Sequence, residues 1–154
     1  MSELPKRKQN RLHNYDYTQT GAYFVTICTK DMKWLFGSIN DGKMTLSENG
    51  IIAENELLKI SSHFKDVIMN KHIIMPNHVH AIIVIVSGAV DSAPTMTIGN
   101  IIRGYKAGVS RLIGFSPWQR NFHDHVIRNQ EDYNRIAEYV ENNPARWTED
   151  RYYN

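Results

Sequence analysis

Two periodicities of apolar residues run through the chain, and the switches between them predict its elements. Residues 22–29 (AYFVTICT) are β-branched and aromatic, and predict a buried strand. The Asn40-Asp41-Gly42 cluster predicts a hairpin turn, pairing roughly residues 35–39 with 43–45. Ser47 is placed to cap a helix over residues 48–61, with Glu48 near its positive end and Ile51, Leu57 and Leu58 on its inner face. Residues 64–75 predict a second long strand, Pro76-Asn77 a break, and residues 78–86 (HVHAIIVIV) a third strand. The continuous apolar second half of that strand marks it as central. Residues 87–94 are small, polar and Gly/Pro-bearing, and predict a flexible loop. Over residues 97–113, Ile98, Ile101, Ile102, Tyr105, Val109 and Leu112 recur at helical spacing, with Arg103, Lys106 and Ser110 on another side. Residues 118–127 predict a fourth strand. Residues 131–142 predict a last helix, ended by Pro144, which biases Asn143 away from helical angles and makes it the last helical or first non-helical residue. No internal repeat is visible. Strands and helices interleaved in this order predict an α+β fold, with one antiparallel sheet and helices packed on one face.

Composition narrows the class. The chain has 154 residues, enough for one core, with 42% hydrophobic and 22% charged residues, so a disordered or fibrous protein is excluded. A net charge of +2 neither announces nucleic acid nor excludes it. One cysteine, Cys28, excludes an internal disulfide and any thiolate-built metal cluster. The longest apolar run, residues 81–86, is far too short to span a membrane, and the N-terminal residues lack the apolar segment of a signal peptide. The expectation is one soluble cytoplasmic domain over 1–154, without a membrane partner. It divides into a basic arm over residues 1–20, carrying Lys6, Arg7, Lys8 and Arg11, and a core over 21–147.

Seven histidines and eight tyrosines bring in candidate chemistry. In His78-Val79-His80 on a strand, both imidazoles project from one face while Val79 points into the core, which makes half of a metal site. A second pair of this spacing, His123 and His125, shows how readily such a pair arises by chance. In the last helix, at 100° per residue, Tyr133, Ile136, Ala137 and Val140 fall on one arc about 100° wide, the expected core stripe. Tyr139 lies outside that arc, on a side shared with Arg135 and Asn143. So Tyr133 is assigned to packing and Tyr139 to a polar face. A metal beside a tyrosine suggests attack on a phosphodiester: the cation neutralises charge on the phosphate, and the phenolate forms a phosphotyrosine that conserves the bond for rejoining. Arg103, Lys106, Arg111 and Arg120, with the arm, would hold the nucleic-acid backbone, and exposed tyrosines or Trp118 would stack on its bases.

These residues carry a family resemblance. Met75-Pro76-Asn77-His78-Val79-His80 resembles the HUH motif (His, bulky hydrophobic, His) of single-tyrosine transposases of insertion sequences, most closely the REP-associated tyrosine transposase branch. Residues 22–29 are similar to that family's first strand, residues 102–112 (IRGYKAGVSRL) to its basic helix, residues 118–128 (WQRNFHDHVIR) to the stretch before its last helix, and residues 139–144 (YVENNP) to its tyrosine motif. After Pro144 the chain departs from the pattern, with Ala145-Arg146-Trp147 where many relatives are more aliphatic and carry a glycine. The resemblance implies His78 and His80 as metal ligands, Asn143 as the polar residue completing the site, and Tyr139 as nucleophile. It makes Asp124 and His125 supporting groups. It further implies magnesium or manganese, a ferredoxin-like core, and single-stranded or hairpin DNA as substrate, cleaved without a nucleotide cofactor and in association with the nucleoid. A homodimer is compatible with it, since some relatives build each site from two chains. Two other readings stand beside it: a nucleic-acid-binding module without catalysis, and a zinc hydrolase using His78, His80 and His125.

Overall fold

A computed structural model of the chain describes residues 21–86 and 97–154. The arm, with Lys6, Arg7, Lys8 and Arg11, and the 87–94 loop lie outside the described residues. Four strands, β1 (Gly21–Cys28), β4 (Val67–Met75), β5 (His78–Ile85) and β6 (His123–Ile127), form one antiparallel sheet in the order β4-β5-β1-β6. Helix α1 (Glu48–Leu58), followed by the short α2 (Ile60–His63), lies between β1 and β4, and α3 (Ile98–Ile113) lies between β5 and β6. This strand–helix–strand–strand–helix–strand order is the ferredoxin-like arrangement. The hairpin β2 (Gly37–Asn40) with β3 (Lys43–Leu46) stands apart as a two-stranded sheet. Its turn places Asp41 at φ 53° and Gly42 at φ 74°, the left-handed pair that an Asp-Gly turn provides.

Strand register divides the sheet into two faces. Tyr23, Val25, Ile27, Val79, Ala81, Ile83 and Ile85 pack with Ala53 and Leu57 of α1 and Ile101, Ile102, Tyr105 and Val109 of α3 in the main core. The other face carries Phe24, Ile73 and Ile82, covered by Ile136, Ala137 and Val140 of α4 (Gln130–Asn142). The expectation of helices on one face therefore holds for α1 and α3. Helix α4 follows the last strand and crosses to the opposite face. Because side chains alternate along a strand, the face under α4 is also the face of His78 and His80.

Four further expectations are corrected. Asn143 keeps helical angles, φ −57° and ψ −47°, so it caps α4 in spite of the following Pro144. On α1 the buried residues are Gly50, Ala53 and Leu57, whereas Ile51 and Leu58 are 48% and 49% exposed. The chain at Phe36 approaches so closely that a Cβ on Gly50 would sit 2.1 Å from the Phe36 carbonyl oxygen. Only glycine fits at position 50, and a glycine does not mark an apolar stripe. On α3 the buried face ends at Val109, leaving Leu112 exposed in the last turn. The fourth strand is limited to His123–Ile127, with Trp118 held separately in a bridge to Thr29. The intervening carbonyls of Gln119, Arg120 and Asn121 accept from the Lys106 ammonium at 2.9, 3.2 and 3.4 Å, in place of a neighbouring strand. Gly50→Ala is expected to destabilise the fold by roughly 3 kcal/mol through overpacking against fixed backbone, read as a lower denaturant midpoint at unchanged slope.

Candidate functional site

The β4–β5 turn at Pro76-Asn77 is itself fixed: the Pro76 carbonyl accepts from the Phe36 amide at 3.1 Å, and the Asn77 carbonyl accepts from the Thr29 amide at 2.9 Å. This places His78 and His80 at the start of β5, fully buried, with ring centroids 4.5 Å apart. Each imidazole is oriented through its Nδ1. His78 Nδ1 is 2.7 Å from Asn77 Oδ1, and His80 Nδ1 is 2.9 Å from Thr26 Oγ1. The Asn77 amide nitrogen donates to the Tyr152 carbonyl at 2.7 Å, so Oδ1 is the end turned to His78. An amide oxygen only accepts, hence His78 carries its proton on Nδ1 and leaves Nε2 with a free lone pair. Both Nε2 atoms are buried without a hydrogen-bond partner. Such orphaned buried nitrogens are costly unless something binds them, and two oriented imidazoles side by side are suited to a metal ion.

A carboxylate completes the group. Asp150 lies with His78 and His80 so that one potential ligand atom of each falls within 4.8 Å of the others. The His78/His80/Asp150 group fits a metal site. Asn143, 2% exposed, donates its amide to Asp150 Oδ2 and keeps a buried Oδ1 without a partner. Tyr139, 38% exposed one helical turn earlier, donates its hydroxyl to Asp150 Oδ1 at 3.2 Å, and its ring centroid is 5.3 Å from that of His80. Burial, with the charge of Asp150 behind it, pushes the Tyr139 phenol well above its ordinary pKa. At neutral pH the site therefore holds a protonated tyrosine.

Asp150 was not evident from sequence. Residues 148–154, placed outside the catalytic core in the sequence reading, fold back onto the site. Trp147 is buried, 6.1 Å from the His78 ring and 5.6 Å from Trp34. Asn154 Oδ1 accepts from Trp34 Nε1 at 2.8 Å, and the Tyr152 ring lies 4.5 Å from His78. The clue in sequence is the aromatic set Trp147, Tyr152 and Tyr153 in a tail otherwise mostly polar.

The structure brings His78, His80, Asn143 and Tyr139 together within one chain. It does not bring the expected backbone-holding residues to them. Arg103, Lys106 and Arg111 lie on α3, against the other face of the sheet, and Arg120 follows beyond it. Lys106 is occupied by carbonyls, and Arg103 donates to Asn100 at 2.7 Å. His125 Nε2 pairs with Asp132 at 2.8 Å, and the residue grouped with His78 and His80 is Asp150. Tyr133 packs against the α4 cluster, as expected, and donates its hydroxyl to Asn70 at 2.7 Å. Among the described residues, no helix is long and apolar enough to cross a membrane.

Burial lowers both histidines, His78 to about 4 against the opposing pull of Asp150 and Asn143, and His80 well below 6.5 with the His78 charge adding to the effect. The unfolded chain protonates these groups near pH 6.5, while the folded chain does not. Below that pH the unfolded state binds more protons, so stability falls as pH falls. Between pH 7.5 and pH 5 the metal-free protein is expected to lose about 2 kcal/mol at each histidine. Thermal midpoints across this range check the loss, and His80→Gln should flatten the profile.

No family model matches the chain. A protein of Haemophilus influenzae (strain Rd), itself uncharacterized, is 35% identical over 167 residues, covering 96% of this chain and 93% of that one. Among solved structures, a REP-associated tyrosine transposase bound to a REP hairpin superposes with a TM-score of 0.66 at 21% identity, over 96% of this chain and 74% of its own. A Deinococcus radiodurans R1 protein provisionally assigned as a transposase superposes with a TM-score of 0.52 at 15% identity, over 86% of this chain and 95% of its own. At these identities the structural likeness is one of fold.

Proposed function

Since the chain belongs to one family with the Haemophilus influenzae protein and has the fold of tyrosine transposases, we propose that it cleaves and rejoins single-stranded or hairpin DNA through a 5′-phosphotyrosine. One observation carries this reading: the Tyr139 hydroxyl sits against the Asp150 carboxylate that also faces two oriented imidazoles with unused Nε2 atoms. His78, His80 and Asp150 would hold a divalent cation, magnesium or manganese, with Asn143 steadying the carboxylate through its amide. Bound there, the cation would neutralise charge on the non-bridging oxygens of the phosphodiester.

The protein's own groups do the rest. Tyr139 Oη forms a bond to phosphorus as the P–O3′ bond breaks. The phenol proton passes to Asp150 Oδ1, which already accepts it in a hydrogen bond. The 3′-oxygen leaves and takes a proton from solvent. Rejoining reverses the sequence, with an incoming 3′-hydroxyl attacking the phosphotyrosine and Asp150 returning the proton to Tyr139. Thr26 and Asn77 keep the imidazoles oriented throughout.

The test is incubation with a single-stranded hairpin oligonucleotide and manganese, followed by denaturing electrophoresis. A covalent protein–DNA band that chelator abolishes is expected. Retained DNA binding without any band would favour a non-catalytic binding module. Tyr133→Phe is expected to retain the band, because Tyr133 only packs and donates to Asn70, at a stability cost of about 1 kcal/mol.

A further inference from the structure

Beside Tyr139, on the sheet face under α4, opens a cleft of about 440 Å³. Phe24 and Thr26 of β1 and His125 of β6 line it, with Arg135 and Tyr139 of α4 and Arg151 of the tail. The two arginines come from separate elements and reach one cavity, which His80 and Tyr152 of the site also line. Arg135 sits one turn before Tyr139 and shares the Asp132 carboxylate with His125. Arg151 stands 5.5 Å over the Tyr152 ring, and its charge opposes the rise in the Tyr139 pKa. Phe24 is half-buried, edge-on to Tyr139 at 6.3 Å. Guanidinium groups present planar forked donors that fit phosphate oxygens, and an aromatic face accepts a base or sugar without regard to sequence.

We infer that this cleft seats the nucleotide whose phosphate Tyr139 attacks, with Arg135 and Arg151 clamping the phosphate oxygens and Phe24 supporting the base. The inference rests on the proposed DNA-cleaving function and names the side chains that position its substrate. It also answers what holds the DNA on this face, since the arginines of α3 lie on the other.

The test measures binding in a Tyr139→Phe background, so that affinity is read without cleavage. A labelled single-stranded decanucleotide is titrated by anisotropy over a range of salt concentrations. Adding Arg135→Ala and Arg151→Ala is expected to weaken binding at least about tenfold and to reduce the slope of log affinity against log salt by about 1.4, two phosphate contacts on a single strand. Lysine at both positions should restore the slope but not the full affinity, because the forked geometry is lost. Calorimetric titration with manganese alone should show binding no weaker than in the parent, which shows the fold and the imidazole group intact. Equal affinity and slope in the alanine variant, with wild-type protein still forming its adduct, would overturn the clamp and leave the cleavage reading standing. Failure of the parent to bind the strand, with no adduct from wild type, would overturn both.

Discussion

Tyr139→Phe is expected to abolish the covalent protein–DNA adduct, reducing strand cleavage by at least about 1000-fold, the scale on which removal of a nucleophile acts. The change deletes one oxygen. It removes the 3.2 Å hydrogen bond to Asp150 and leaves the ring packing against Phe24 and His80 in place. Folding stability should move by no more than about 1.5 kcal/mol, since the hydroxyl is partly exposed and Asp150 retains Asn143 and the Tyr152 amide as donors. DNA binding should persist. A kinetic loss confined to chemistry, with binding and stability kept, separates a nucleophile from a structural tyrosine. Tyr133→Phe on the same helix removes the same atom from the packing side and should leave cleavage unaffected.

The second large effect is expected at the imidazoles. His80→Ala, or His78→Ala, should weaken manganese binding by more than about 100-fold, beyond the loss typical of an outer hydrogen-bonding partner, and should eliminate adduct formation at micromolar metal. Both residues are buried and both present an unpartnered Nε2. Removing one leaves a single imidazole and a carboxylate, too few donors to compete with water. Asp150→Asn should act on both halves of the site, since the amide neither matches the carboxylate's charge toward a cation nor accepts the phenol proton. Calorimetry reads the metal arm and electrophoresis the adduct arm. Undiminished manganese affinity in all three variants would place the cation elsewhere.

Much of this architecture was legible in the sequence because it depends on local pattern. The strand at 22–29, the turn at Pro76-Asn77 and the helical stripe of residues 98–109 report burial that each segment achieves through its own periodicity. The same periodicity separated Tyr139 from Tyr133 on one helix. What stayed hidden depends on contacts distant in sequence. Asp150 sits in Glu149-Asp150-Arg151, which reads as a solvated tail; its position is set by Trp147 against Trp34 and His78 and by Asn77 holding the Tyr152 carbonyl. Lys106 reads as one more cation on a basic helix face, yet three carbonyls of an irregular segment claim its ammonium. The side of the sheet chosen by α4 was equally hidden, because an amphipathic stripe states that a helix packs and not against which face.

The fold and the Tyr139–Asp150–imidazole arrangement meet in one central claim: this tyrosine, and no other, bonds to DNA. Proteolysis of the adduct formed on single-stranded hairpin DNA with manganese, followed by mass spectrometry, tests it most directly. The account predicts a phosphonucleotide mass on Tyr139 alone. A modification on Tyr152, whose ring also stands beside His78, or on any other residue would contradict it.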